Sequence, residues 1–287
     1  MGIAISSWQL ARSVASQGQL GVVSSTAIDL VMIRTLQLGD ADGSMRRAMA
    51  AFPDQALAQK ILDRYFIEGG KPADQPYASK PMIGDKPGRF TEQLIMVSNF
   101  CEVYLAKEGH NGMVGINCLH KIQTPILAGI FGAMLAGVDV VIVGAGIPIE
   151  IPKVIDGLTR GEPVEFSVHV HGATKGADHK LRFDPRGIMA EDIIPPKRPL
   201  FFPIVSSVTL ATVMIKKSGG IVDGLIIEEP SAGGHNAPPR GKTQYNEIGE
   251  PQYGPRDEVN LEAIKALGVP FYLAGSYAAR GLGDDLD

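Results

Sequence analysis

The sequence predicts an α/β protein that is built on a parallel sheet. Six short apolar runs recur along the 287 residues. They are apolar at consecutive positions rather than at alternate ones, as is typical of strands that are covered on both faces. Helical patterns stand between these runs, and several begin with Ser, Thr or Asp and end with Gly. The repeated unit of strand, loop and helix indicates either a (β/α) barrel or a doubly wound sheet.

The predicted strands are, in chain order, residues 20–25, 112–117, 138–144, 200–206, 222–228 and 269–275. The clearest helix predictions between them are residues 6–18, 124–137, 207–220 and 257–268.

Two segments interrupt the alternation of strand and helix. Residues 39–108 contain two helical stretches, 44–66 and 90–107, around a connector that is rich in Pro, Gly and Lys, and they predict a helical insertion. Residues 163–186 alternate between apolar and polar in "VEFSVHVHG" and "HKLRFDP", which predicts a small antiparallel hairpin. Both segments are expected to belong to one domain that spans residues 1–287.

Composition excludes several classes of function. The chain is 45% hydrophobic and 20% charged with a net charge of −4, which is ordinary for a globular protein. It contains no cluster of Lys and Arg, so nucleic acid is not expected as the main partner. No apolar run approaches the length of a membrane span. Cys101 and Cys118 match neither a disulfide framework nor a zinc site, which favours a cytoplasmic location.

Small and polar residues follow five of the predicted strands, in "NCLHK", "GAGIP", "IVSS", "EEPSAGGHN" and "AGSYA". In a barrel these strand ends converge on one face, where active sites are built. Small residues there would let a flat ligand and its phosphate approach the backbone. The loop "GAGIP" begins at Gly144, but it lacks a third glycine and places Pro148 where a dinucleotide-binding helix would begin. By itself it indicates a plain turn between strand and helix.

Two polar residues are candidates for contact with a ligand. His235 follows Gly233 and Gly234 at a predicted strand end and precedes Asn236 and two prolines. An active-site imidazole and an imidazole that merely caps a turn are equally well supported by this pattern. Asn117 ends another strand with an amide that can donate to and accept from a heterocycle, although an ordinary Asx turn would explain it as well.

Other titratable residues are weaker candidates. Glu228 and Glu229 are neighbours, so on a strand they face opposite ways and do not predict a catalytic carboxylate pair. His169 and His171 share one face of the hairpin, but no further ligands lie near them in the sequence, and no metal site is predicted. His120 stands at a loop mouth, where it is expected to be packed or solvated rather than bound to a ligand.

Five segments, in order, resemble the nitronate monooxygenase family, formerly called 2-nitropropane dioxygenases. They are "MGIAISSWQLARSVASQGQLGVVSS", "GINCL", "VDVVIVGAGIP", "PIVSS" and "EEPSAGGHN". Flavin-dependent enoyl reductases share the same plan. The resemblance covers most of the chain, and the Gly-Gly-His after a strand is its most specific element. It implies a TIM-type barrel that binds FMN without a covalent bond and oxidises alkyl nitronates, its small-molecule substrates, with molecular oxygen.

The resemblance also implies the site residues. His235 matches the active-site histidine and is the expected catalytic base. The residues expected to bind FMN are Met1, Gly2, Asn117, Gly144, Gly233, Gly234, Gly275 and Ser276. Of these, Gly275 and Ser276 match a phosphate-binding turn.

The chain departs from the family pattern in three ways. Family members have a strand before the segment that matches Met1 and Gly2, and they have a last strand with a second phosphate turn. Neither strand is recognised here, so we expect a TIM-type (β/α) barrel without its first and eighth strands, open at that place and with half of the phosphate cradle. The segment "EEPSAGGHNAPPRG" also replaces a plainer continuation after the histidine.

The departures leave two alternatives open. One is an FMN- and NAD(P)H-dependent enoyl-thioester reductase, and the other is a flavin-binding barrel without catalytic activity. Whether the chain forms a homo-oligomer is not decided by the sequence.

Overall fold

A computed structural model describes residues 2–84, 86–174, 179–189, 196–233 and 236–275. The strands are β1 Gly21–Ser24, β2 Val114–Leu119, β3 Val140–Gly144, β4 Val164–Ser167, β5 Lys180–Phe183, β6 Leu200–Val205, β7 Leu225–Glu228 and β8 Phe271–Ala274. The helices are α1 Trp8–Ala15, α2 Ile28–Gln37, α3 Ser44–Ala50, α4 Gln55–Tyr65, α5 Arg89–Lys107, α6 Ile126–Leu135, α7 Ile151–Thr159, α8 Pro185–Ile188, α9 Val208–Lys217 and α10 Leu261–Lys265.

The main sheet has six strands in the order β1-β2-β3-β6-β7-β8, and every neighbouring pair is parallel. Each of the six predicted runs contains or overlaps one of these strands, so the prediction of a parallel α/β sheet is confirmed. The sheet curls into half of a barrel. Among the described residues β1 pairs only with β2 and β8 only with β7, so this sheet has two open edges.

Both faces of the curled sheet are apolar, which explains why the strands read as continuous apolar runs. The concave face carries a small cluster of side chains: Val140, Ile142 and Phe202, with Leu20, Val22, Ile204 and Ile226 packed against them. The convex face packs on the helices in a larger core that extends from Ala11 to Ile264. Cys101 and Cys118 are buried as free thiols.

The predicted helical stretch 44–66 is divided into α3 and α4. Pro53 lies at the break, and it cannot donate the backbone hydrogen bond that a continuous helix would need there. Asp54 then begins α4 by accepting a hydrogen bond from the Leu57 N–H at 2.9 Å.

The second stretch of the predicted insertion forms α5, which packs directly on the layer of helices that covers the sheet. At Gly132 of α6, an added Cβ would lie only 2.0 Å from the Met96 carbonyl oxygen of α5. Helix α5 is therefore a central part of the fold, and the additional elements relative to a simple βα unit are α3 and α4.

The predicted hairpin is confirmed. Strands β4 and β5 pair in antiparallel register, with Val164 opposite Phe183 and Glu165 opposite Arg182. Val164 and Phe183 are buried, whereas Glu165 and Arg182 form an exposed ion pair at 2.9 Å. One face of the hairpin thus packs on the core and the other faces solvent.

Partly buried carboxylates fix the amino-terminal ends of the strands in the main sheet. Asp139, directly before β3, accepts from the Val114 N–H at 2.8 Å and from Lys107 Nζ at 2.5 Å. Asp223, before β7, accepts from the Phe201 N–H at 2.8 Å and from Arg198 Nη1 at 2.9 Å. Each carboxylate binds the neighbouring strand. These charge-assisted bonds therefore hold the register of the strands at their amino-terminal ends.

Helix α1 is fastened to α5 by a buried carboxyl group. The Trp8 N–H, at the start of α1, donates to Glu102 Oε1 at 2.6 Å. Glu102 is only 3% exposed, and this burial raises its pKa to about 7. The folded protein therefore holds a proton on Glu102 over a pH range in which the unfolded chain has already released it.

We predict that Glu102 makes the protein less stable as the pH rises. Its stabilising contribution is complete below the unfolded pKa of about 4.3 and is lost as the pH rises through the folded pKa. The free energy of unfolding of the wild type should fall by about 3 kcal/mol more than that of Glu102→Gln between about pH 5 and pH 8. Urea unfolding across this range measures the difference, and parallel pH profiles for the two proteins would contradict the prediction.

Candidate active site

The carboxyl-terminal ends of the strands surround a cavity of about 1020 Å³. Its floor is formed by apolar side chains of the concave face, including Val22, Ile142, Ile204 and Ile226. Its rim is formed by the loops that follow the strands. Small-molecule sites in proteins commonly measure roughly 300–1,000 Å³, so this cavity is large enough for a cofactor-sized ligand.

Five of the residues that the sequence predicts for cofactor binding line this one cavity. They are Gly2, Asn117, Gly144, Gly233 and Gly275. They come from the amino-terminal segment and from the ends of four different strands, and the parallel sheet brings them together. Their part in binding a cofactor stays a prediction. Met1, Gly234, His235 and Ser276 lie outside the described residues.

Asn117 is the polar side chain of the cavity that is best fixed by the sheet. It pairs with Ser24 of β1 and Ile142 of β3 and is 4% exposed. Its backbone carbonyl accepts a hydrogen bond from the Ser25 N–H at 3.0 Å. None of the described residues forms a hydrogen bond with its side-chain amide, so both the donor and the acceptor of this amide are available to a ligand.

Two of the lining glycines are required by close contacts. A Cβ at Gly144 would lie 2.7 Å from Ile204 Cδ1 on the neighbouring strand β6. Gly275 has a φ of 129°, and a Cβ there would lie 2.7 Å from Ser231 Oγ. Glycine at these positions lets the loops after β3, β7 and β8 lie close together around the cavity. Gly233, in contrast, has open space beside it.

The "GAGIP" loop contains a residue that is strained. Ala145 lines the cavity and has a φ of 55°, in the left-handed region that residues other than glycine rarely adopt. Such conformations persist where the surrounding structure enforces them, often at ligand sites. The loop thus contributes a rigid part of the rim rather than a dinucleotide cradle.

His120 is packed behind this loop and does not line the cavity. A Cβ on Gly146 would lie 2.4 Å from His120 Nδ1, and the ring meets Phe166 of the hairpin edge-on, with 5.4 Å between centroids. Burial lowers the pKa of His120 and favours the neutral ring. Its contacts are therefore those of a packing residue between the loop and the hairpin.

Glu228 is a cavity residue that was not among the predicted site residues. It ends β7 and faces the cavity, as Ile226 two positions earlier does, whereas Glu229 does not line this cavity. Partial burial raises the pKa of Glu228. No described residue donates a hydrogen bond to it or forms an ion pair with it. The alternation of side chains along the strand could have identified it, because Ile226 belongs to the inward-facing set.

Lys121 is a second charged residue of the cavity. It lies in the loop after β2 and is exposed. It forms no ion pair with a described carboxylate, so its ammonium group is free to meet solvent or a ligand.

The segment after Gly233 forms a wall beside the main cavity. The Asn236 amide donates from Nδ2 to the Pro230 and Ala232 carbonyl oxygens at 2.8 and 3.0 Å, which closes the start of this segment. Its Oδ1 is buried and has no hydrogen-bond partner among the described residues. The amide therefore serves to hold the loop rather than to expose an acceptor to solvent.

Arg240 clamps the same wall to the sheet. Its guanidinium donates to the Ser206 carbonyl oxygen at 2.7 Å, directly after β6, and to the Arg256 carbonyl oxygen. Its backbone N–H donates to Asp257 Oδ1, and the Gly254 N–H donates to Asp257 Oδ2, each at 2.8 Å. These bonds lower the pKa of Asp257. Residues 236–257 are thus fixed against the ends of β6 and β7.

A side chamber of about 380 Å³ lies between this wall, the "GAGIP" loop and α9. It borders the main cavity along four shared residues: Lys121, Ala145, Ile204 and Glu228. The strand ends thus offer one large space and one smaller space that open onto each other.

Comparison of the chain with protein-family models and with curated protein sequences gives no match. Among the described residues, no helix has both the length and the apolar character needed to cross a membrane. In the same part of the chain, no group of three or more His, Cys, Asp and Glu side chains is placed to hold a metal ion.

We predict that Arg240→Ala frees the wall of the side chamber without unfolding the sheet. Loss of the guanidinium removes two hydrogen bonds at the base of residues 241–257. Amide hydrogen exchange in this segment should become about tenfold faster, with little change in β2 and β3. Arg256→Ala is the matched control, because only the backbone of Arg256 takes part in the clamp. Equal exchange in both variants would show that the clamp does not hold the segment.

Proposed function

We propose that the protein is an FMN-dependent oxidoreductase of the nitronate monooxygenase kind. The observation that carries this proposal is that one cavity gathers Gly2, Asn117, Gly144, Gly233 and Gly275, which the family resemblance selects as flavin contacts. The six parallel strands would be the second to the seventh of a TIM-type barrel. The open edges at β1 and β8 support this proposal, because two further strands could close the sheet there.

The described residues of the cavity fit a flavin. The floor is apolar and suits a flat aromatic ring, and the free amide of Asn117 offers the donor and acceptor that the polar edge of the ring requires. Gly144 and Gly2 line the cavity without a side chain, so the ring could approach their backbone. Gly275 begins a turn whose backbone would meet the phosphate together with Ser276, which lies outside the described residues.

When bound, FMN would take electrons from the substrate and pass them to molecular oxygen. The chain's own residues would position the ring, exclude water from it and move protons. We propose His235 as the base, on the sequence alone. An unperturbed imidazole has a pKa near 6.5, roughly what is needed to take the α-proton of a neutral nitroalkane near neutral pH. For a nitronate, which is already deprotonated, it would only position the anion.

In this proposal the substrate is a small molecule in the cytoplasm, and molecular oxygen is the second reactant. The related alternative, an enoyl-thioester reductase, would use the same cavity but would take its electrons from NAD(P)H. A flavin-binding barrel without activity would carry out neither reaction.

We predict that alkyl nitronates reduce the protein-bound flavin in the absence of oxygen and that NADH and NADPH do not. Stopped-flow absorbance of the flavin measures both reactions. Rapid reduction of the flavin by NADPH, followed by its reoxidation by an enoyl thioester, would instead establish the alternative reductase. Reduction by none of these compounds would contradict the proposed activity.

We predict that His235→Asn slows flavin reduction by a neutral nitroalkane much more than flavin reduction by its nitronate. Loss of a general base typically lowers a rate by a factor of about 10² to 10⁴, so flavin reduction by a neutral nitroalkane should slow by an amount in this range. Reduction by its nitronate should be spared. Equal losses for the two forms would make His235 a positioning residue, and equal rates in wild type and variant would leave it without a role in the reaction.

A further inference from the structure

One positively charged side chain faces both spaces at the strand ends. Lys121 lines the main cavity and the side chamber, and no other described residue that lines either space is a lysine, an arginine or a histidine. It forms no ion pair with a described carboxylate, in contrast to Lys80 and Lys107, which pair with Asp29 and Asp139. The charge of Lys121 is therefore available to a ligand.

The loop that carries Lys121 is attached to the fold on both sides of this residue. The His120 N–H donates to the Gly144 carbonyl oxygen at 2.8 Å, which ties the loop to the end of β3. The Gln123 side chain exchanges two hydrogen bonds with the backbone of His169, directly after β4, at 2.6 and 3.1 Å. Lys121 lies between these attachments, so its backbone is held at the junction of the two spaces.

Along the sheet, this lysine is far from the turn at Gly275, where the proposed function places the phosphate of FMN. Lys121 follows β2, Gly275 follows β8, and β3, β6 and β7 lie between these two strands. Neighbouring strands are about 4.8 Å apart, so four spacings amount to roughly 19 Å along the curved sheet. Lys121 is therefore placed to meet an anion other than the phosphate.

The side chamber gives a small substrate room beside the main cavity. Its volume of about 380 Å³ is within the size of small-molecule sites, roughly 300–1,000 Å³. Its lining is mixed, with apolar side chains such as Leu210 and Pro238 and polar ones such as Ser206 and Asn236. A mixed lining selects only weakly by polarity. The charge at the junction is therefore the feature that separates one small substrate from another.

Glu228 lies on the same border and acts against an anion. Burial favours its neutral form by raising its pKa, and the positive charge of the chain's amino terminus opposes the charge that it does carry. Both effects weaken its repulsion of an anion. Because the Coulomb energy falls with distance, an anion in contact with Lys121 is governed by that nearer charge.

We propose that Lys121 binds the anionic head group of the substrate at the junction of the main cavity and the side chamber. The inference rests on the proposed function in taking the main cavity as the flavin site and an alkyl nitronate as the substrate. The ammonium group has three donors for the two nitro oxygens, which share the negative charge of a nitronate. The parent nitroalkane carries no net charge, so Lys121 would bind it less tightly and would select the nitronate.

The test compares two probes that share an alkyl chain and a planar head group, hexanoate and hexanamide. Hexanoate carries its negative charge on two oxygens, as a nitronate does. Saturation-transfer NMR titrations of the full chain with excess FMN, at about pH 7.5, give the dissociation constants. The wild type should bind hexanoate about tenfold more tightly than hexanamide, because hydrogen bonds to charged groups are the stronger ones. Added salt should reduce this preference by screening the charge of Lys121.

Variants of the lysine separate its charge from its shape. Lys121→Met removes the charge and keeps a long side chain, so it should weaken binding of hexanoate about tenfold and leave that of hexanamide unchanged. Lys121→Arg should retain most of the preference. Lys265→Met is the matched control, because Lys265 is exposed on α10 and lines neither space, and it should bind both probes like the wild type.

Equal affinity for hexanoate in the wild type and Lys121→Met would overturn the inference, as would an equal loss of both probes. Weaker FMN binding in Lys121→Met with an unchanged preference for hexanoate would assign Lys121 to the cofactor instead. A preference for hexanoate that depends on Lys121, in a protein whose flavin no nitronate reduces, would refute the proposed function alone. Nitronate oxidation with an unchanged kcat/KM in Lys121→Met would refute this inference alone.

Discussion

Parallel pairing of six apolar strands is the constraint on which the rest of this structure depends. Strands that run in one direction place all their carboxyl ends at one edge of the sheet, and helices must cover the face that is not turned inwards. Residues as distant in sequence as Gly2, Asn117 and Gly275 therefore meet at a single cavity. Because the sheet curls, these strand ends surround a concave space. The candidate site therefore depends on the direction of the strands rather than on any single local motif.

The two ends of the parallel strands differ in whether their polar groups are paired. At the amino-terminal edge, Asp139 and Asp223 accept from backbone N–H groups and from Lys107 and Arg198, so their charges are paired. At the carboxyl-terminal ends, several of the residues that line the cavity are glycines. Asn117 and Glu228 have no partners there among the described residues. Polar groups that are partly buried and unpaired are costly in a folded protein. Their position at the carboxyl-terminal ends of the strands supports the proposal that a ligand binds there.

The strands, the hairpin and most of the helices could be predicted because each depends on a local pattern of apolar residues and caps. Helix α10 is shorter than predicted because Asn260, rather than an earlier residue, accepts from the Ala263 N–H and starts it. Pairings between distant residues could not be predicted, since no local pattern links Trp8 to Glu102 or Arg240 to Asp257. Glu228 could have been predicted from the sequence, because it lies two positions after Ile226 on the same strand and both side chains face the cavity.

The central claim is that the cavity at the strand ends holds FMN, with Asn117 at the edge of its ring. Titration of the purified protein with FMN, followed by quenching of flavin fluorescence, tests it most directly. We predict saturable binding to the wild type and binding at least about tenfold weaker to Asn117→Leu, which keeps the size of the side chain but removes its hydrogen bonds. The variant Asn111→Leu, at an exposed position that lines no part of the cavity, should bind like the wild type. Absence of FMN binding, or equal affinity in Asn117→Leu, would contradict the claim.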